Sequence, residues 1–170
     1  ILENLNGMAA IGIGVGLMTI VGQCMGADRK DEAVYYIKKL SVIAEVAIIV
    51  SCLLVFALTR LVTVLGGMEP ASAKMCFHML TWITLVKPIV WTLAFVPAYG
   101  LRAAGDVKFS MITSCLVMWL CRFCLCVILI RFLGFGPMGV WIGMFADWTV
   151  RAVIFTWRFH SRRWLRYKVI

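Results

Sequence analysis

LSVIAEVAIIVSCLLVFALT, residues 40–59, contains twenty residues and one charged side chain, Glu45. At ~1.5 Å per residue it makes a helix ~30 Å long, which matches the hydrocarbon thickness of a bilayer. Comparable stretches surround it: Asn4–Ala27 before it, then Met75–Leu101, Phe109–Ile130 and Phe132–Val150. Of the 170 residues, 63% are hydrophobic and 15% charged, too few polar groups to cover a soluble domain of this size. The apolar runs are continuous and do not alternate with polar residues. Their backbone groups are therefore satisfied within helices and not in a closed barrel. The chain reads as an all-α polytopic membrane protein, a single membrane domain over residues 1–170. Its five transmembrane helices are expected at about 4–27, 38–60, 75–101, 108–131 and 136–158, with a basic tail over 159–170.

The net charge of +9 lies in the gaps between these spans. Arg29, Lys30, Lys38 and Lys39 fall between the first and second, Arg102 and Lys108 between the third and fourth, and Arg158, Arg162, Arg163, Arg166 and Lys168 after the fifth. The opposite side carries only Arg60, Lys74 and Arg131. Positive residues stay inside, so the C-terminus is expected in the cytoplasm. The tail, Trp157 to Trp164, mixes aromatic rings with cations, which suits an anionic leaflet and not a nucleic acid. The first span lacks a basic leader and a small-residue cleavage site, so it is not a signal peptide. A chain that opens within an apolar segment is expected to be the later part of a longer one.

Catalytic chemistry finds no residues to carry it. His78 and His160 are the only histidines, and neither neighbours an aspartate. Cys121 and Cys124 have C-x-x-C spacing but no second pair or nearby histidine, so they read as packing residues without a metal. No enzyme, catalytic residue, metal or cofactor is expected.

Local signals organise the helices. Gly22-x-x-x-Gly26, after Gly12, Gly14 and Gly16, is expected to admit a neighbouring helix at close range. Gly66–Pro70 and Gly134–Gly139 read as turns, with Pro70 suited to a helix's first position. Pro88 and Pro97 lie inside the third span, where they kink or break a helix that could line a cavity. Asp106 is expected to cap the start of the fourth span by accepting from its free amides.

Two stretches carry a family resemblance. Val21-Gly22-Gln23-Cys24-Met25-Gly26-Ala27 resembles the V-G-Q-x-x-G-A signature of the multidrug and toxic compound extrusion (MATE) transporters. Leu101-Arg102-Ala103-Ala104-Gly105-Asp106 resembles the family's L-R-[AG]-[AG]-G-D turn. Trp119, Arg122, Gly139-Val140-Trp141 and Arg163-Trp164 fit in order. The resemblance implies twelve helices in two lobes of six, with this chain supplying the second to sixth helices of the C-terminal lobe. It further implies a bacterial inner-membrane antiporter that exports organic cations or drugs against Na⁺ or H⁺ by alternating access. Its partners are then the bilayer, a missing N-terminal lobe and a small organic cation. Gly22, Gln23, Gly26, Arg102, Gly105 and Asp106 form the structural signature. A lipid-linked saccharide exporter or flippase of the same superfamily, or a non-transporting membrane scaffold fragment, are the alternatives.

Charges within the spans supply the pathway candidates, because each is costly there. Lys87 lies ~20 Å along the helix from both Lys74 and Arg102, too deep for easy snorkelling. Asp147 is at similar depth. Either these two share a cavity and a charge, or Asp147 pairs with Arg151 one turn along its own helix. Trp91, one turn from Lys87, either packs or stacks on a flat cation. Glu45 lines an inner vestibule or is met by water, Lys38 and Lys39 at the interface. Arg122 reads first as a cation that tethers its helix.

Overall fold

Helices form wherever the apolar runs demand them, but their ends follow charge and turn chemistry more than apolarity. The computed structural model describes residues 2–65, 67, 69–132, 134 and 136–166. Helix α1 (Leu2–Gly26) stops where Asp28 adopts φ 57° and the Arg29 amide closes on the Cys24 carbonyl at 2.8 Å. Helix α2 (Lys30–Leu65) follows at once and begins at Lys30, not near residue 38. Asp31 and Glu32 occupy its first turn, where the positive end of a helix favours acids, so the charged gap joins the helix. Helix α3 (Pro70–Ala103) starts on Pro70 as expected and runs through Pro88 and Pro97.

The fourth span is not one uniform helix. It consists of α4 (Val107–Val117), a wider π-helical segment (Met118–Cys124) and α5 (Leu125–Arg131). At the end of the π segment the Leu125 amide donates to Leu120, five residues back. Helix α6 (Pro137–His160) completes the set, and a short 3₁₀ turn, Arg163–Arg166, follows it. Among the described residues, five segments are long and apolar enough to cross a membrane: Gly7–Gly26, Lys30–Thr59, Ala71–Ala103, Val107–Arg131 and Met138–His160. The turns fall where glycine spelled them, with φ 58° at Gly67, 66° at Gly134 and 55° at Gly136. Gly66, Met68, Leu133 and Phe135 in those turns, and tail residues 167–170, lie outside the described residues.

Helix α1 packs on α2 and α3, α2 on α3, and α3 on α6, while α4, the π segment and α5 lean on α6. Leucine is no more apolar than lipid, so close van der Waals fit holds such a bundle together. Helix α2 buries Ile37, Ala44, Ile48, Cys52 and Val55, and turns Val46, Val50, Leu53 and Leu54 outward. Some hydroxyls bond within their own helices, as Thr59 does to the Val55 carbonyl at 2.7 Å and Thr84 to Leu80 at 2.8 Å.

Close approach occurs at glycines other than the expected pair. A side chain at Gly22 or Gly26 would meet nothing within 4 Å. At Gly14, a Cβ would lie 2.6 Å from the Tyr99 ring, so the aromatic from α3 selects the contact point on α1. At Gly143 on α6, a Cβ would run into Cys126 Sγ and lie 3.2 Å from the Cys121 carbonyl. That glycine lets the wider π segment sit against α6.

The tail also departs from expectation. Trp164 folds back, becomes fully buried, stacks on Phe159 at 5.7 Å between centroids and donates its indole N–H to the Phe159 carbonyl at 3.1 Å. Arg162, Arg163 and Trp157 stay exposed and keep the cationic, aromatic character proposed for a leaflet surface.

Candidate functional site

Four-residue spacing on α3 places Lys87, Trp91, Phe95 and Tyr99 in one column. The Lys87 ammonium is 1% exposed and stands 5.7 Å from the Trp91 ring centroid, beside the α1 backbone at Gly7. Trp91 stacks on Phe95 with centroids 4.8 Å apart and planes 29° from parallel. The Arg151 guanidinium from α6 lies 5.7 Å from the Phe95 centroid, and Arg102 lies 5.9 Å from Tyr99. An aromatic face attracts a cation through its quadrupole, and more strongly where water is excluded. The column thus holds cations of the protein itself on its rings.

Asp147 goes to its own helix. Arg151 Nε donates to Asp147 Oδ1 at 2.9 Å, and Arg151 Nη2 to the Ser114 carbonyl on α4 at 3.0 Å. The pair is almost wholly buried. Of the two arrangements open in the sequence, the local one forms. Among the described residues, the Trp91–Phe95 stack and Arg151 lie between Lys87 and Asp147.

The signature turn works by long-range pairing. Asp106 makes no side-chain cap to α4. Its Oδ2 instead accepts from Arg158 Nε at 2.7 Å, with both side chains nearly buried, while the Arg158 guanidinium lies 4.5 Å from the Phe109 ring centroid. The capping expectation is therefore corrected: the fixed guanidinium of α6 supplies stronger, charge-assisted donors than free amides do. Arg102 reaches across the same turn to Ser110 Oγ at 2.9 Å. Gly105 takes φ 94°, a conformation that side chains resist, and this ends α3.

The remaining candidates lie apart. Gln23 lines a cleft of about 360 Å³ with Cys24, Arg29, Glu32 and Tyr36, at the turn between α1 and α2. Glu45 is half-buried on α2. Arg122 is exposed on the π segment, in an apolar hollow of about 240 Å³ with Met118, Trp119 and Phe123, and tethers no helix among the described residues. Trp82 shares a pocket of about 330 Å³ with His78, Met79, Trp141 and Phe145, and its indole donates to His78 Nε2 at 3.2 Å. No cluster of three or more metal-ligating side chains occurs among the described residues.

A family model described as MatE matches residues 2–128, well over half of the chain. The chain belongs to the MatE family. This MatE chain is 26% identical, over 99% of its length, to a protein named probable multidrug resistance protein NorM from Thermotoga maritima, of which it covers 36%. It is 39% identical to the uncharacterized transporter YisQ of Bacillus subtilis over 39% of its own length and 15% of that protein. A probable multidrug resistance protein NorM from Rhodopseudomonas palustris is 37% identical over 36% of the chain and 13% of its own length. The MatE chain thus spans well under half the length of these relatives. No solved structure matches it significantly. Both signature stretches lie inside the matched region, while Asp147 and Arg151 lie beyond it.

Sequence reasoning missed Phe95, Ser114 and Arg158. Phe95 could have been found as the next four-residue step after Lys87 and Trp91. Ser114 contributes a carbonyl, which no side-chain pattern reveals. Arg158 belongs to a basic chain end in sequence, yet its nearly buried side chain is the partner of Asp106.

Proposed function

We propose that this chain is part of a secondary active antiporter that exports small organic cations or drugs, coupled to Na⁺ or H⁺ through alternating access. The observation that carries the reading is Lys87, a fully buried cation at mid-span on a helix containing two prolines. Ionisable groups at such depth are expensive and mark transport pathways. In this reading Lys87 and Trp91 line the pathway, Arg151 and Asp147 brace it, and Glu45 stands toward the cytoplasmic vestibule. The chain works in the inner membrane of a bacterium with its C-terminus inside, together with further polypeptide equivalent to the rest of its relatives' length.

The test is dye efflux from cells that produce the whole protein. Lys87→Gln should abolish efflux at unchanged membrane abundance, while Trp82→Phe should leave it intact. Full efflux with Lys87→Gln overturns the reading. Arg122 favours a second reading. A guanidinium exposed beside an apolar hollow suits a phosphate-bearing lipid, as a lipid-linked saccharide exporter requires. Lipid export that persists after the ion gradients are collapsed would select it.

A further inference from the structure

The Pro70 end of α3 and the Pro137 end of α6 hold two adjoining cavities. The first, about 330 Å³, is lined chiefly by Trp82, Trp141, Ile142 and Phe145. The second, about 630 Å³, is lined on α3 by Lys74, Met75, Phe77 and Thr81. His78 and Met138 border both, so the two meet at these side chains. Trp82 stands ~140° around α3 from Lys87, which puts this recess on a different face from the Lys87 column.

The polar groups of the recess are donors. An indole N–H can only donate, so the His78 Nε2 that Trp82 meets at 3.2 Å is the acceptor. The neutral imidazole then carries its proton on Nδ1, which is left as a donor. Thr81 spends its hydroxyl on the Phe77 carbonyl at 2.9 Å. Lys74, one helical turn from His78, adds an ammonium, and neither lining contains an acidic side chain. An apolar pocket with a few convergent polar groups is the usual form of a small-molecule site, and here those groups select negative charge.

We propose that this recess binds a single-chain fatty-acid anion. Its carboxylate accepts from Lys74 Nζ and His78 Nδ1, and its chain lies among Trp82, Trp141 and Phe145. Lys74 and Trp82 are ~12 Å apart along α3, which sets the reach of the chain. A phospholipid brings two chains and a bulkier head, whereas the pocket beyond His78, about 330 Å³, suits one chain. An organic cation, the substrate class of the transport reading, would meet Lys74 as a like charge. The site is therefore separate from that reading and does not depend on it.

Photolabelling of the purified whole protein in phosphatidylcholine tests the proposal, with a dodecanoic acid that carries a terminal diazirine. The label should land within residues 74–82 and 138–145, and excess dodecanoate should displace it. Methyl dodecanoate, which lacks the charge, should displace it poorly. Lys74→Gln should weaken binding by about fivefold, the size of one exposed charge pair. Absence of saturable label, which would mean that other polypeptide covers the recess, overturns the proposal. So does label confined to other segments, equal displacement by acid and ester, or an affinity unchanged in Lys74→Gln. Displacement by phosphatidylglycerol as effective as that by dodecanoate overturns it too, and makes the recess a phospholipid site. The comparison of acid with ester needs no variant, so it decides even if Lys74→Gln is poorly produced.

Discussion

Asp106 illustrates how a single side chain chooses between partners. Four residues of local sequence recommend it as a helix cap, yet it pairs with Arg158 from the end of α6, at 2.7 Å. Removing one partner of a nearly buried pair strands the other's charge, which typically costs about 3 kcal/mol. Asp106→Ala and Arg158→Ala should each lower the thermal unfolding temperature and the yield of folded protein without altering substrate choice. The double substitution should cost clearly less than the sum of the two. Strict additivity in the melting data would mean that the two charges do not stabilise one another. The same logic explains why Asp147 was half-legible: its partner Arg151 lies one turn away and is visible in the sequence, whereas the Ser114 carbonyl that completes the arrangement is not.

Elements were legible to the extent that the bilayer alone dictates them. The five spans could be read because apolar length is a one-dimensional quantity. The start of α2 could not, because charged residues such as Lys38 and Lys39 end an apolar run without ending a helix. The π segment was hidden for a different reason. Its extra width is accommodated by Gly143 on another helix, a pairing that exists only after packing. Glycines make the contrast testable. Gly14→Ala forces a methyl against the Tyr99 ring and should destabilise by about 1–3 kcal/mol. Gly22→Ala meets open space and should stabilise α1 by up to about 1 kcal/mol through helix propensity. Thermal melts of the two variants should therefore move in opposite directions, and a shared direction would show that α1 does not lie against α3 in this register.

At the scale of the whole molecule, charge and shape together set orientation. The cations around α1–α2, α3–α4 and the end of α6 stand on one side, so green fluorescent protein fused after Ile170 should fluoresce. Alkaline phosphatase at the same point should be inactive. Activity of the phosphatase fusion would invert the topology. Function was less legible than fold, since pathway residues are defined by what faces them across a cavity. The aromatic column of α3 emerges only when Arg151 arrives from α6. Trp164 adds an order of events to this architecture. Its ring lies beneath Phe159 at the far end of α6. During synthesis, each of the five helices leaves the ribosome before this tryptophan does. That end of α6 is therefore fastened only after α6 itself has been made.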